Sequence, residues 1–237
     1  MRFSFLSLFP SLITSYFEDS ILKNAIEKNL IQIHTINFRD YANDRFQKAD
    51  YPQIGGGAGQ VLRPDLIDCA ISEIANPKHV IFLTPAGKPF CQADAIRLAK
   101  KEHIVFVCGR YEGFDERSIE MCADEVFCIG DFVLTGGELP ALCLCDSISR
   151  QIAGVLGNPQ SLIGESFESH LLEAPNFSRA MDLEKKFQNF LPPSEYSKGN
   201  HSKIADLKNN LATLKTKYFR PDLYQKWKAI KRVHNEK

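Results

Sequence analysis

The chain has 237 residues, 44% hydrophobic and 24% charged, which excludes a disordered segment and allows one large domain or a medium domain plus a small one. Its 29 basic and 29 acidic side chains cancel unevenly: residues 178–237 hold 14 Lys/Arg against 6 Asp/Glu, a balance of +8 that leaves −8 on residues 1–177. The seven cysteines (Cys69, Cys91, Cys108, Cys122, Cys128, Cys143, Cys145) form no C-x-x-C pair, which argues against a zinc site or a disulfide framework and for reduced thiols in the cytoplasm.

In chain order, "RFSFLSL" is the first β-rich apolar run. The N-terminal stretch lacks a small-residue cleavage site and meets Pro10 early, so it reads as a strand and not as a signal peptide. No apolar run reaches membrane-spanning length. Further strands are predicted at "IQIHTINF", "HVIFLTP", "HIVFVCG" and "DEVFCIG", several almost continuously apolar, as strands covered on both faces are. Between them, residues 11–29, 64–75, 91–101 and 114–123 read as helices, the second with Pro64 in its first turn. This alternation predicts an α/β domain over residues 1–156, a parallel sheet with helices on both faces. Ligands in such folds gather at the carboxyl ends of the strands, where "TPAG", "CGRYEG" and "IGDFVLTGG" fall.

Residues 138–153 predict a helix apolar around most of its girth, with Leu139, Leu142, Leu144, Ile148 and Ile152 not confined to one stripe. Such a helix is buried on several sides, inside the domain or against another subunit. Residues 157–175, with Gly157, Pro159, Gly164 and Pro175 and no sustained period, read as a linker. Beyond it, Ile204, Leu207, Leu211 and Leu214 recur at helical spacing with lysines between them, and "RPDLYQKWKAIKR" makes a second helix. Residues 176–237 are therefore expected to form a small, basic, all-helical domain. A solvated lysine-rich tail gives the same pattern; a nucleic-acid contact surface is the sharper reading.

Three stretches bear chemistry. "IGGGAGQV", Ile54 to Val61, is glycine-rich but lacks the Gly-Lys-Ser/Thr of a phosphate loop, which leaves a flexible loop or a backbone surface that admits a flat ligand. "CGRYEGFDER", Cys108 to Arg117, follows a buried strand; Asp115 and Glu116 suit a first helical turn, whereas Glu112, inside the glycine-bounded loop, is placed to meet a cationic ligand. In "IGDFVLTGGELP", Ile129 to Pro140, glycines bracket an apolar run, as where a backbone must approach another group closely. Arg150 sits four residues after Asp146, so it either pairs with it along the helix or stabilises negative charge on a reacting group.

Together with "SLFP" at 7–10, "RDYANDRFQKAD" at 39–50, "GGGAG" at 55–59, "LTPAGK" at 83–88, "DSISR" at 146–150, "GVLG" at 154–157, "ESF" at 165–167 and "GNH" at 199–201, these stretches resemble, in order and over nearly the whole chain, the bacterial tRNA (guanine-N1) methyltransferases of the SPOUT class. The resemblance implies a C-terminal trefoil knot that binds S-adenosylmethionine in a bent form. Carried over by position, Leu83, Pro85, Gly109, Tyr111, Glu112, Ile129, Gly130, Asp131, Phe132, Val133, Leu134, Gly136, Gly137 and Pro140 would surround that cofactor, with Glu112 toward its cationic end.

The implied substrate is tRNA with guanosine 37 preceded by another guanosine. The family's base is the aspartate of a D-S-F motif and its charge-stabilising group is the arginine ending D-S-x-S-R. Here the arginine is Arg150, but Glu165 stands where the aspartate should be. The resemblance also implies a homodimer with active sites at the subunit interface, Mg2+ assistance for which no ligand cluster is visible, and no membrane partner. Two alternatives stand beside it: a non-catalytic RNA-binding protein that lost its chemistry at the Glu165 substitution, and a SPOUT enzyme for another RNA, against which "GGGAG" and "GNH" speak. A nicotinamide dehydrogenase would need a glycine fingerprint that is absent.

Overall fold

A computed structural model describes residues 1–178 and 191–235, so the segment that opens the basic region, 179–190, lies outside the described residues. The chain forms two compact units, Met1–Pro159 and Gln160–Lys237.

The first unit is built on five parallel strands: β1 (Arg2–Ser7), β2 (Gln32–Asn37), β5 (His79–Pro89), β6 (His103–Cys108) and β7 (Glu125–Cys128), in the order β2-β1-β6-β5-β7. Register runs Phe3 to Ile33 and Ile104, and Leu83 to Cys108 and Phe127. Period-two alternation divides each strand between two cores. Phe3, Phe5, Ile81, Leu83, Ile104 and Phe106 point to one face, where α1 (Ser11–Thr14), α2 (Ser20–Glu27), α4 (Gln92–Leu98) and α6 (Glu138–Ser149) cover them. Leu6, Val80, Phe82, Val105 and Val107 point to the other, under α3 (Pro64–Ser72) and α5 (Glu116–Cys122). Both faces being covered explains why β5 and β6 read as nearly continuous apolar runs, whereas the edge strand β2, Gln32–Asn37, does not.

Phe106 anchors the first core, its ring centroid 6.1 Å from Phe3 and 5.2 Å from Phe5. Phe106→Ala is expected to cost about 3–5 kcal/mol, measured as a lower urea midpoint at unchanged slope. A loss below about 1 kcal/mol would mean that the surrounding rings collapse into the space.

Several expectations are corrected. The helix expected over 11–29 is broken: α1 passes into a 3-10 turn at Ser15–Phe17, and the chain restarts as α2 after Asp19, whose carboxylate accepts the Ser20 N–H at 2.6 Å. Asp and Ser side chains compete with helical backbone bonds and favour such caps. Residues 50–62 hold an unexpected antiparallel hairpin, β3 (Asp50–Pro52) and β4 (Gln60–Leu62), whose three-residue strands are too short for periodicity to reveal. Strand β5 runs past the expected Pro85 to Pro89, with its register against β7 shifting between Leu83 and Lys88, so that Thr84–Gly87 loops out beside the end of β7.

In the second unit, α7 (His201–Phe219) and α8 (Pro221–Asn235) are the two expected helices. Part of the segment read as a linker packs on α7: the Leu172 N–H donates to Thr216 Oγ1 at 2.8 Å, Lys215 Nζ donates to the Glu173 carbonyl at 3.0 Å, and Ala174 is buried. No helix among the described residues is long and apolar enough to cross a membrane.

Candidate functional site

The bulge at Thr84–Gly87 within β5 and the loops after β6 and β7 meet around a cleft of about 210 Å³. Leu83, Pro85, Gly109, Tyr111, Glu112, Ile129, Gly130, Phe132, Val133, Leu134, Gly136, Gly137 and Pro140 all line it; Asp131, exposed in the same loop, does not. The chain leaving β7 returns across the end of β6, where the Gly137 N–H donates to the Gly109 carbonyl at 2.8 Å. A Cβ at Gly137 would lie 2.7 Å from the Gly109 nitrogen and 2.8 Å from the Cys108 Cα, so only glycine fits between these two backbones. The glycine-rich loop has a second close approach: a Cβ at Gly59 would lie 2.5 Å from the Glu112 Cγ, and the Glu112 N–H donates to the Gln60 carbonyl at 3.0 Å. The flexible-loop reading of 54–61 therefore gives way, at its C-terminal end, to a backbone packed against the rim of the cleft.

Beneath this loop lies a charged network that sequence reasoning missed. Glu138, in the first turn of α6, is only 3% exposed, yet its Oε1 accepts from Ser7 Oγ at 2.5 Å and from Arg110 Nε at 3.1 Å. Its Oε2 is buried 2.9 Å from Arg110 Nη2, an ion pair without hydrogen-bond geometry. Arg110 also donates to the Thr135 carbonyl at 3.2 Å and stacks on Phe9, 4.6 Å from the ring centroid. One buried ion pair thus ties the ends of β1 and β6 to the 129–137 loop. Truncating either partner would leave a buried charge uncompensated. The signal in sequence was an acid beside the glycine pair, indistinguishable there from an ordinary first-turn glutamate. Cys108, below the cleft, is no nucleophile, since burial first and the Glu138 charge second push its thiol well above the ordinary range.

Arg150 caps the far end of α6, its N–H donating to the Asp146 carbonyl at 3.1 Å. The expected all-round burial of this helix is not complete: Leu142, Leu144, Cys145 and Ile148 are buried, but Leu139 is 57% exposed and Cys143 is exposed. Leu139, Cys143, Asp146 and Arg150 are spaced by four, three and four residues, which puts them on one face. The Asp146 carboxylate accepts the Tyr16 hydroxyl at 2.7 Å, and this bond, burial and the carboxylate charge push Tyr16 up to about 12.

In the second unit Glu165 is half-buried within the turn that follows a 3-10 segment at Pro159–Leu162, and the Glu168 N–H donates to its carbonyl at 3.3 Å. Around it, the Gly164 N–H donates to Glu168 Oε2 at 2.6 Å and the Glu173 N–H to Ser166 Oγ at 3.0 Å. Helices α7 and α8 expose Lys203, Lys208, Lys217, Lys226, Lys228, Lys231 and Arg232, with Tyr218 and Phe219 exposed between them. Among the described residues, no group of three or more His, Cys, Asp or Glu side chains converges as a metal site.

The whole chain has close relatives. A Helicobacter pylori protein named tRNA (guanine-N(1)-)-methyltransferase is 60% identical over 229 residues, covering 97% of this chain and all of that protein. Proteins of the same name from Helicobacter hepaticus (61% identical, 97% of this chain and 95% of that protein) and Campylobacter jejuni (55%, 94% and 97%) match similarly. The family model described as tRNA (Guanine-1)-methyltransferase TrmD matches residues 1–226, and with that match over a parallel α/β unit and a helical C-terminal segment, the chain belongs to the tRNA (guanine-1)-methyltransferase family.

Proposed function

We propose that this protein transfers a methyl group from S-adenosylmethionine to N1 of guanosine 37 in tRNA, where guanosine 36 precedes it. The observation that carries the reading is a backbone-walled cleft, at the strand ends of a chain that belongs to this family, lined by thirteen of the fourteen residues expected to hold the cofactor. The cleft suits the donor: Leu83, Ile129, Leu134 and Pro140 offer apolar cover for an adenine, the Cβ-free Gly137 lets the loop backbone close on it, and the exposed Glu112 carboxylate faces a cationic centre. The return of the 129–137 loop to the end of β6 is, in this reading, part of the trefoil knot, a rare threading among folds.

Bound S-adenosylmethionine supplies an electrophilic methyl group. Guanine N1 carries a proton, so the chain's own residues must remove it and offset the charge that builds on O6. Glu165 takes the N1 proton, and the Arg150 guanidinium neutralises O6. Glutamate has nearly the ordinary pKa of aspartate and one more methylene, so the exchange preserves basicity and shifts only reach.

Arg150 lies ten residues beyond Pro140, about 15 Å along α6, and so stands away from the cleft of its own protomer. The exposed face of α6, with Leu139 and Cys143 beside the exposed Leu12 and Tyr16, is the surface on which a second copy docks, so that Arg150 of each copy serves the cleft of the other. The lysines of α7 and α8 hold the tRNA through its phosphates in the cytoplasm, with affinity that falls steeply as salt rises.

The test incubates the purified protein with labelled S-adenosylmethionine and two transcripts, one with G36-G37 and one with adenosine at 37, and maps any modified base. Methyl at N1 of G37 and none on the variant is the expected result. Donor binding without transfer to either RNA would favour the non-catalytic reading, and methyl at another position would move the target.

A further inference from the structure

Residues 1–159, the unit that carries the cleft, hold 15 Lys/Arg against 20 Asp/Glu, a net charge of −5, so phosphate attraction alone is a poor way to hold an RNA strand there. The hairpin beside the cleft offers another. Phe46 is 85% exposed, Ile54 is 92% exposed and Tyr51 is half-exposed, three large apolar side chains clustered within nine residues. Both aromatic rings carry cations. Arg45 lies 5.9 Å from the Phe46 centroid, and Lys48 and Arg63 each lie 5.1 Å from that of Tyr51. Arg63 is largely buried and fixed by Asp44 at 3.3 Å, Asp65 at 2.5 Å and the Lys48 carbonyl at 2.9 Å, so it forms a rigid backing for the ring. Tyr51, Lys48 and Arg63, with Asn43 and Asp44, line a shallow depression.

This depression is coupled to the cleft through backbone bonds. Tyr51 pairs with Val61 across the hairpin, and the flanking Gln60 carbonyl and Leu62 N–H bond Glu112 at 3.0 Å and Gly113 at 3.1 Å, two residues of the cleft wall. Two inter-strand spacings of about 4.8 Å place Tyr51 roughly 10 Å from that wall, within the reach of the next nucleotide of a strand whose target base meets the donor at the mouth of the cleft.

We infer that Tyr51, backed by Arg63 and flanked by Lys48, is a stacking subsite for the unpaired nucleotide immediately beside the target guanosine. The exposed part of an aromatic ring accepts any base and is indifferent to net charge, and Lys48, 5.1 Å from the ring centroid, is close enough to meet the attached phosphate. The inference rests on the proposed tRNA reaction, since it assumes that a guanine meets the donor bound in the cleft.

The test uses the full-length protein and tRNA transcripts with 2-aminopurine immediately 5′ or 3′ of the target guanosine. Binding of the unaltered protein should quench one of the two probes. Tyr51→Ala should abolish that quench and weaken RNA binding by about 5- to 150-fold, with S-adenosylmethionine affinity and thermal stability unchanged, whereas Tyr51→Phe, which keeps the ring, should retain the quench. Unchanged quench and RNA affinity in Tyr51→Ala would overturn the subsite. Equal losses of cofactor affinity or stability would overturn it in favour of a structural role, and an altered oligomeric state would assign this surface to a second copy of the chain. If the unaltered protein fails to bind tRNA at all, the reaction reading itself has failed; tRNA binding insensitive to Tyr51 refutes the subsite alone.

Discussion

Glu165→Gln is expected to slow methyl transfer by about 10²- to 10⁴-fold, the usual contribution of a positioned general base, while S-adenosylmethionine binds as before. The amide keeps the shape of the carboxylate but cannot take the N1 proton. The residues lining the cleft all belong to the first unit, whereas Glu165 belongs to the second, which is why donor binding should not register the change. Single-turnover transfer and calorimetric titration of the donor measure the two quantities separately. Turnover within about threefold of the unaltered protein, far inside the range for a lost base, would remove Glu165 from the mechanism. Glu165→Asp then becomes the informative companion, since it restores the family's residue and reports whether the extra methylene has been accommodated.

Gly137→Ala is expected to lower donor affinity by about tenfold or more and to cost about 1–3 kcal/mol of stability, the scale of overpacking in a tight contact. The added methyl would sit 2.7 Å from the Gly109 nitrogen and 2.8 Å from the Cys108 Cα, where the obstacle is backbone and no rotamer can move aside. Relief requires the 129–137 loop to withdraw from the end of β6, breaking the 2.8 Å bond from the Gly137 N–H to the Gly109 carbonyl and opening the cofactor wall. Calorimetry with S-adenosylmethionine and thermal melting check both effects. Unimpaired donor binding would show that the cleft wall tolerates this displacement and that the loop's placement does not govern affinity.

The core strands were legible in the sequence because both faces of the sheet are covered, so Ile104 to Val107 appears as an unbroken apolar run and Phe3 to Leu6 is interrupted only by Ser4. The helices α7 and α8 were legible from Ile204, Leu207, Leu211 and Leu214 and from Pro221 at the start of a new turn. The β3–β4 hairpin was not, because two strands of three residues carry no period, and its place is set by the bonds of Gln60 and Leu62 to a loop some fifty residues later. The break between α1 and α2 was hidden by helical periodicity on either side of Asp19.

The candidate cofactor residues were found by resemblance, since no local pattern distinguishes a glycine beside a ligand from a glycine in a turn. By itself the sequence determined the α/β alternation, the uneven charge and the positions of the glycine-bracketed loops, all of which depend on neighbours along the chain. Only the tertiary structure decided that Gly137 lies against Gly109, that the buried carboxylate of Glu138 joins Ser7 to Arg110, and that Tyr51 stands one hairpin away from the cleft. Those contacts join residues far apart in sequence, and packing and hydrogen bonding between distant segments leave no periodic trace along the chain.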